Sequence, residues 1–363
     1  MVEPLFFFGA GASAPFGIPT MKEMVTLFKQ ELKNEKGEEK DEEASLYKNV
    51  EEVLREDFQR VDLESVFSVI DGIAQGLTPH QLGYLTTFFV RRAKDPTLLE
   101  PPRLELRKAA QRLRNKFEDF VKRVCWAKPD KLDQIMGTYL PFLDMVFQSV
   151  GGGMSQFRYE NHSYTYNSGW EMFTTNYDNV LEVLWRDGVR QEELETGFQW
   201  NTASHTQVFS SSRLLGQKLK LAKLHGSITW WVEEPTGIIV EDRQPPNPSY
   251  LARKLGEQVL LYPIQQKELL APPYLDLLFA FKESLQRHDK WLVVGYSFAD
   301  EMLRSLFVRT STPRTRLVLV HPDPTVSESL ANERGWRGKI LPVRNRFGEL
   351  SANALVRDAL QTP

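Results

Sequence analysis

Three short polar clusters, at residues 174–178, 224–227 and 295–300, contain residue types that can do chemistry. The first supplies an amide and a carboxylate, Asn176 and Asp178, and the second supplies an imidazole, His225. Imidazole exchanges a proton near neutral pH. The third cluster begins Gly295-Tyr296-Ser297. Each cluster directly follows a stretch that we predict as a strand, so we expect each to lie at the end of a strand.

A glycine-rich turn near the start of the chain forms a fourth cluster. The apolar run Leu5-Phe6-Phe7-Phe8 ends in Gly9-Ala10-Gly11-Ala12-Ser13, and we expect a helix from about Thr20. Gly9, Gly11 and Ala14 fit the dinucleotide fingerprint G-x-G-x-x-G/A, in which glycines admit a ligand and a helix N-terminus binds phosphate. An ordinary glycine turn between strand and helix is the alternative.

The residues after this turn argue against hydride transfer. A dehydrogenase would place a second strand with an acidic end after its first helix. Residues 35–43 instead form a nearly continuous charged run. The sequence therefore still favours a nucleotide site, but it argues against a nicotinamide-dependent oxidoreductase.

Strands that alternate with helices must position these clusters. We predict strands at 5–8, 170–175, 219–224, 291–295 and 316–320, paired strands at 228–232 and 237–240, and helices at 177–186, 273–287 and 299–308. This alternation indicates an α/β fold with a Rossmann-like, doubly wound, mostly parallel sheet. Because ligands bind beyond the carboxyl ends of such strands, the four clusters are expected to converge on one cleft.

Each cluster also has a purely structural interpretation. Asn176 or Asp178 could cap the following helix, residues 295–297 could be only a turn, and His225 could be a hydrogen-bonded histidine of the core. Their joint placement at strand ends favours a site.

A helical segment separates the first strand and helix from the remaining strands. Between residues 44 and 147 the pattern is almost wholly helical, and we expect a helical insertion after the first βα unit. The predicted domains are 1–34 with 165–363 for the Rossmann-like domain and 44–150 for the inserted helices. One helix has an apolar stripe and a basic opposite face, interpreted as solvated surface or as a surface for a partner or nucleic acid. The basic residues are Arg103, Arg107, Lys108, Arg112, Arg114, Lys116, Lys122, Arg123 and Lys128.

Composition narrows the class of protein. The chain has 363 residues, 41% hydrophobic and 26% charged, with a net charge of −3 and one cysteine, Cys125. These values are ordinary for a globular protein, and one cysteine excludes a disulfide within the chain and a cysteine zinc cage. We see no secretory signal and no bilayer-spanning run, and expect a cytoplasmic protein.

The ordered motifs resemble those of the sirtuins. They are Gly9-Ala10-Gly11-Ala12-Ser13 with Gly17-Ile18-Pro19, then Thr175-Asn176-Tyr177-Asp178, His225-Gly226 and Gly295-Tyr296-Ser297. The similarity is closest to the sirtuin-like, NAD-hydrolysing domain proteins of bacterial anti-phage defence systems. It spans residues 9 to about 324.

The resemblance implies a role for each matching residue. Gly9, Ala10, Gly11 and Ser13 would hold the NAD+ pyrophosphate, with Pro19 and Thr20 nearby. Asn176 and Asp178 would line the nicotinamide-ribose pocket, and His225 would face the ribose hydroxyls as base or orienting group. Gly295, Tyr296 and Ser297 would contact the phosphate and adenosine-ribose side, with His321 and Asp323 near the adenosine.

The resemblance also implies an activity and departs from the deacylating sirtuins. It implies an NAD+ glycohydrolase that depletes NAD+, releasing nicotinamide and ADP-ribose. The four-cysteine zinc module of deacylases is absent, and no zinc is expected. The alternatives are a module that senses NAD or ADP-ribose and gates a partner, and, with less support, an NAD-dependent protein deacylase.

The resembled proteins often form homo-oligomers and join a partner, such as a HerA-type hexameric ATPase or an Argonaute-type protein. We expect the same of this chain, without a membrane, and leave direct contact with nucleic acid open. Any ATPase would be another chain, because no G-x-x-x-x-G-K-[ST] motif occurs here.

Overall fold

A parallel sheet of six short strands organises the part of the chain that carries the polar clusters, as seen in a computed structural model. The structure describes residues 3–34, 38–57, 61, 63–75, 104–150, 155–159, 162–166, 169–189, 194–202, 205–215, 219–233, 236–243, 256–260 and 273–361. The strands are β1 (Leu5–Phe8), β2 (Glu171–Thr174), β3 (Lys220–Lys223), β4 (Lys290–Val294), β5 (Arg316–Val320) and β6 (Lys339–Val343). Their spatial order is β3-β2-β1-β4-β5-β6.

This strand order is that of the dinucleotide-binding Rossmann sheet. All neighbouring pairs are parallel, with Phe7 of β1 opposite Phe173 of β2 on one side and Val293 of β4 on the other. The chain therefore has the predicted α/β, doubly wound, mostly parallel fold. The order reverses between β1 and β4, where such sheets open a crevice for a ligand.

The phenylalanines of β1 show why both faces of the sheet are covered. Alternate side chains of a strand point to opposite faces. The ring of Phe7 lies 5.3 Å from Phe281 and 5.2 Å from Phe307, whereas the ring of Phe8 lies 5.8 Å from Tyr139. Since Phe6, Phe7 and Phe8 are fully buried, this strand is an unbroken apolar run, as parallel sheets require.

Helices flank the sheet or form a separate bundle. They are α1 (Met21–Asn34), α2 (Glu38–Asp57), α3 (Leu63–Ala74), α4 (Leu104–Val124), α5 (Leu132–Val150), α6 (Val180–Val183), α7 (Tyr274–Arg287), α8 (Glu301–Thr310), α9 (Pro324–Ala331) and α10 (Leu350–Gln361). Among the described helices, none is long and apolar enough to cross a membrane.

Smaller antiparallel sheets accompany the parallel one. Five strands lie in the order Gly256–Leu260, Gly226–Glu233, Ile238–Glu241, Thr206–Phe209 and Phe198–Asn201. The predicted pairing of 228–232 with 237–240 is confirmed, with Trp231 opposite Val240. Ser155–Tyr159 and His162–Tyr166 form a separate hairpin.

The chain divides into two compact units. The first contains Met1–Ile18, Cys125–Leu260 and Pro272–Pro363, and the second is built on Pro19–Val124. This grouping differs from the expected insertion at 44–150 at both ends. Phe28 of α1 packs on Tyr47, Phe67 and Phe117 of the helical unit. Helix α5 belongs with the sheet because its Tyr139 packs on Phe8.

Part of the basic face of α4 is paired within the helical unit, whereas the Lys108 and Arg123 side chains stay more than half exposed, as a solvated face would be. Arg114 pairs with Asp71 at 3.1 Å and with Glu118 at 3.0 Å, and Arg112 pairs with Glu43 at 2.8 Å. Further contacts join Lys116 to Glu43, Arg123 to Glu31 and Arg107 to the Ala74 carbonyl. Arg103 lies outside the described residues.

Candidate active site

Two loops interlock at the carboxyl edge of the sheet, one after β1 and one after β4. The Gly9 N–H donates to the Val294 carbonyl and the Gly11 N–H donates to the Gly295 carbonyl, both at 2.9 Å. Gly295 itself has φ +65°, in the left-handed region that favours glycine. The polar clusters at 9–13 and 295–297 are therefore brought together.

The glycines of these loops serve contact between protein segments. A Cβ on Gly9 would lie 2.6 Å from the Gly295 carbonyl oxygen, and a Cβ on Gly11 would lie 2.8 Å from the Gly295 Cα. The sequence predicted that these glycines make room for a ligand, whereas backbone occupies that space. At both positions the structure requires glycine for packing of one loop on the other.

The predicted strand and the predicted helix from about Thr20 are confirmed as β1 and α1, but the chain between them is not a simple turn. Two single turns of 3₁₀ helix, Ala10–Ala12 and Ala14–Phe16, stand where a Rossmann helix would begin. The N–H groups of Gly9, Gly11, Ala12 and Ser13 donate to carbonyls of the protein. In this arrangement these four donors are engaged by the protein itself.

Asn176 connects the end of β2 to the glycine turn. Its Nδ2 donates to the Gly9 carbonyl at 3.0 Å and to the Ser13 Oγ at 3.1 Å. Thr174 supports this link, because its hydroxyl donates to the Phe8 carbonyl and accepts from the Asn176 N–H. Asn176 and Ser13 are both buried. The amide is thus fixed in orientation by backbone and hydroxyl acceptors.

Asp178 lies in the same network. Its carboxylate hydrogen-bonds the Ser13 hydroxyl and accepts from the Val180 N–H at 3.0 Å. The second contact is made to the first N–H of α6, whereas the N-cap residue of that helix is Asn179, whose side chain makes no capping hydrogen bond. Burial raises the pKa of this carboxyl group above its ordinary value, and nearby Lys223 only partly opposes the shift.

Lys223, at the last position of β3, is a buried cation below this network that the sequence motifs did not reveal. Its ammonium group pairs with Glu182 at 2.9 Å and donates to the backbone carbonyls of Tyr177 and Asp178. Both side chains of the pair are buried. A buried charge is tolerated only when it is paired and hydrogen-bonded, so Lys223 holds the turn that presents Asp178.

His225 follows β3 and pairs with Asp300, a residue 75 positions away. The His225 Nε2 lies 3.0 Å from the Asp300 Oδ2, and both side chains are buried. The other oxygen, Asp300 Oδ1, accepts from the Leu303 N–H and caps α8. Burial opposes ionisation of Asp300, but the His225 hydrogen bond and the helix N–H groups outweigh it and lower the pKa.

The remaining predicted residues differ in their placement. Tyr296 is buried with its ring 4.7 Å from Phe7, and Ser297 is exposed. Asp323 is exposed at the end of β5, where it caps α9 through the Thr325 N–H, and the Thr325 contacts lower its pKa. His321 Nδ1 accepts from the Asp323 N–H at 3.1 Å. Ala10 is half-buried in the first 3₁₀ turn.

Pro19 and Thr20 belong to the helical unit. The Thr20 N–H and hydroxyl both donate to the Glu23 carboxylate at 2.7 Å. This is one half of a capping box at the start of α1. Among the described residues, no group of three or more His, Cys, Asp or Glu side chains could hold a metal ion.

Comparison with known proteins relates most of this site to one class of domain. Residues 171–339 match the family model of the SIR2-like domain. The matched stretch contains Asn176, Asp178, His225 and Asp300, whereas the glycine turn lies before it. This stretch of the chain is therefore similar to a SIR2-like, or sirtuin-like, domain. A search of curated proteins found no match.

Solved structures give a weaker likeness. A Sir2 homologue in complex with NAD is 16% identical with a TM-score of 0.42, covering 98% of this chain and 89% of that one. A mutant Sir2 homologue in complex with 2′-O-acetyl-ADP-ribose is 16% identical with a TM-score of 0.43, covering 99% and 94%. At these values the likeness carries no weight for function.

Proposed function

We propose that this chain is an NAD+ glycohydrolase, which converts NAD+ and water to nicotinamide and ADP-ribose. One observation carries the proposal: buried Asn176, Ser13 and Asp178 form one hydrogen-bonded network at the crevice of a Rossmann-ordered sheet. The SIR2-like match over this region supports NAD+ as the substrate. A sensor needs phosphate and ribose contacts only, whereas this edge also holds a carboxylate and an imidazole.

The residues are assigned as follows under the proposal. Asn176 and Asp178 position the attacking water and stabilise positive charge that develops on the ribose carbon. His225 accepts a proton as general base. The NAD+ contacts involve Gly9, Ala10, Gly11, Ser13, Pro19, Thr20, Gly295, Tyr296, Ser297 and Asp323.

The chemistry balances with these groups. The bond between the ribose carbon and the nicotinamide nitrogen breaks, and its electron pair stays on nitrogen, so nicotinamide leaves neutral. The water oxygen bonds to the ribose carbon, and the proton released passes to His225 and then to solvent. Because the leaving group is neutral, no strong general acid is required.

The wider role proposed is an effector of anti-phage defence. The chain would deplete cytoplasmic NAD+ as a homo-oligomer that works with a partner, such as a HerA-type hexameric ATPase or an Argonaute-type protein. Arg112 and Arg114 of α4 are paired with acidic residues of the same unit. We therefore expect the partner to bind a surface that does not depend on these two side chains.

The test is direct product analysis. The purified chain, alone and with its partner, is incubated with NAD+, and nicotinamide and ADP-ribose are separated by chromatography. His225→Ala should lower turnover by roughly two to four orders of magnitude, the usual contribution of a positioned acid–base group. His205→Asn, on an exposed hairpin turn, is the matched control and should retain the rate.

Two results would contradict the assignments separately. If NAD+ binds and no nicotinamide is released in any assembly, the chain is a sensor. If the chain turns over and His225→Ala keeps the wild-type rate, the activity stands and the assignment of the base is wrong.

A further inference from the structure

The loop between β4 and α8 has an unusual backbone conformation. It leads to Asp300, whose carboxylate is buried. Gly295 has φ +65° and Phe298 has φ +56°. A non-glycine residue in this region is strained and persists only where the surrounding structure imposes it. The Phe298 ring is buried, 5.1 Å from Phe307 and 4.9 Å from Tyr296. Aromatic packing thus fixes the loop that delivers Asp300.

The two oxygens of Asp300 have separate partners. Oδ1 accepts from the Leu303 N–H at 3.0 Å, which fixes the carboxylate on the first turn of α8. Oδ2 faces His225 Nε2 at 3.0 Å. Because helix capping uses one oxygen, the second is held in a defined direction, and that direction is toward the imidazole.

A carboxylate at Nε2 selects one tautomer of a neutral histidine. An ionised carboxylate only accepts hydrogen bonds, so Nε2 must carry the proton and Nδ1 must carry the lone pair. Within the described part of the chain, Nδ1 has no hydrogen-bond partner, and the ring is buried. The only nitrogen able to accept a proton is therefore Nδ1.

We propose that Asp300 is a positioning residue that holds His225 as its Nε2–H tautomer, so that Nδ1 is the atom that accepts the proton during NAD+ hydrolysis. This proposal rests on the proposed function. Under it, the proton goes from water to Nδ1, and Asp300 stabilises the imidazolium that forms. Asp300 remains ionised throughout and contacts no reacting atom.

The decisive experiment is a double-mutant cycle in the full chain. Asp300→Asn keeps an oxygen for the α8 cap, but its amide can donate to Nε2 and hold the wrong tautomer. That error costs about four orders of magnitude in Ser-His-Asp hydrolases. In the wild-type background we expect kcat to fall at least about 100-fold with little change in KM. In the His225→Ala background the same change should alter kcat less than about threefold, because Asp300 acts through His225.

The control is Glu301→Gln, the same carboxylate-to-amide change at the next residue, which is exposed. It should leave kcat and KM unchanged. If Asp300→Asn lowers kcat equally in both backgrounds, Asp300 acts through the helix cap and the proposal is overturned.

A second measurement decides the matter even if the chain releases no nicotinamide. Nitrogen NMR of ¹⁵N-histidine-labelled protein, with His225 assigned from the His225→Ala spectrum, reports which ring nitrogen carries the proton. The proposal expects protonated Nε2 in the wild type and a shift toward protonated Nδ1 in Asp300→Asn. Protonated Nδ1 in the neutral wild-type ring would overturn it, whatever the activity of the chain.

Discussion

Single residues at the carboxyl edge of the sheet combine structural and proposed chemical duties. Asp178 accepts a hydrogen bond from the first N–H of α6 while it hydrogen-bonds Ser13, and Asp300 caps α8 while it pairs with His225. A contact with a helix N–H uses one carboxylate oxygen, so the second oxygen can form another hydrogen bond. The contact also fixes the direction of that second hydrogen bond, because it attaches the side chain to a rigid helix.

Lys223 provides a stability prediction at this scale. Lys223→Met should lower the free energy of unfolding by about 3–5 kcal/mol, because Glu182 is left as a buried, unpaired charge. Adding Glu182→Leu should recover part of this loss, since the unpaired charge of Glu182 is then removed. Urea unfolding followed by tryptophan fluorescence measures both. Lys48→Met, in an exposed pair with Glu52, is the control and should cost less than about 1 kcal/mol.

If the single and double Lys223 variants are equally stable, the ion pair does not account for the loss. Its cause would then be the carbonyls of Tyr177 and Asp178, which lose the same donor in both variants.

Asp178 gives a pH-dependent prediction. Its pKa is raised in the folded state, so the native protein binds the proton more tightly than the unfolded chain. The stability that this group contributes is present below the unfolded pKa of about 3.9 and is lost as pH rises through the folded pKa. Relative to wild type, Asp178→Asn should therefore gain stability as pH rises from about 4 through the folded pKa of Asp178. Urea unfolding across this range measures it, and a constant difference would contradict the prediction.

At the scale of elements, the interlocked loops after β1 and β4 approach so closely that there is no space for a Cβ on Gly295. Gly295→Ala should cost about 1–2 kcal/mol for the left-handed backbone and about 1–3 kcal/mol more for overpacking. Gly17 is the matched control, because it has φ +83° but open space where a Cβ would lie. Gly17→Ala should show only the backbone cost. Thermal unfolding compares them, and equal losses would show that the loops separate to accommodate the methyl group.

The sequence predicted strands best where burial is complete. β1, β4 and β5 contain continuous apolar runs, whereas β2 and β3 include the buried charged residues Glu171, Lys220 and Lys223. Each of the five strands was placed within one or two residues. The edge strand β6 was missed because its sequence, KILPV, is partly exposed and contains Pro342. The hairpin of Ser155–Tyr159 and His162–Tyr166 was also missed, because its residues are a mixture of polar and aromatic types.

The predicted helix 177–186 shows that the type of helix cannot be predicted from the sequence pattern. The structure has α6 followed by a π-helical turn at Leu184–Gly188. A hydrophobic pattern cannot distinguish these hydrogen-bond spacings over so few residues.

Pairing between distant residues could not be predicted from local patterns. His225 and Asp178 follow apolar runs and were found as candidates. Asp300 stood in a noted cluster, but its partner His225 is 75 residues away. Lys223 was hidden inside a strand, where a lysine gives no sign of a buried role. The glycine fingerprint was misleading in one respect, because its glycines contact another loop of the protein.

At the scale of the whole molecule, the division into two units has a consequence for ligand binding. The proposed site residues lie in the sheet unit, with the exception of Pro19 and Thr20. A ligand that binds only the folded sheet unit stabilises that unit by mass action, by about 2.7 kcal/mol at 100 times its Kd. ADP-ribose, the proposed product, is the suitable probe because the proposed reaction does not consume it.

Hydrogen exchange with and without ADP-ribose should therefore separate the units. We expect slower exchange in the loops after β1, β2, β3 and β4, and unchanged exchange in α4 of the helical unit, because protection follows the segments whose opening the ligand opposes. Slower exchange at the start of α1 would show that Thr20 contributes to the site. Binding of ADP-ribose with no protection at the strand ends would place the nucleotide elsewhere and remove the assigned residues, even if NAD+ hydrolysis were observed.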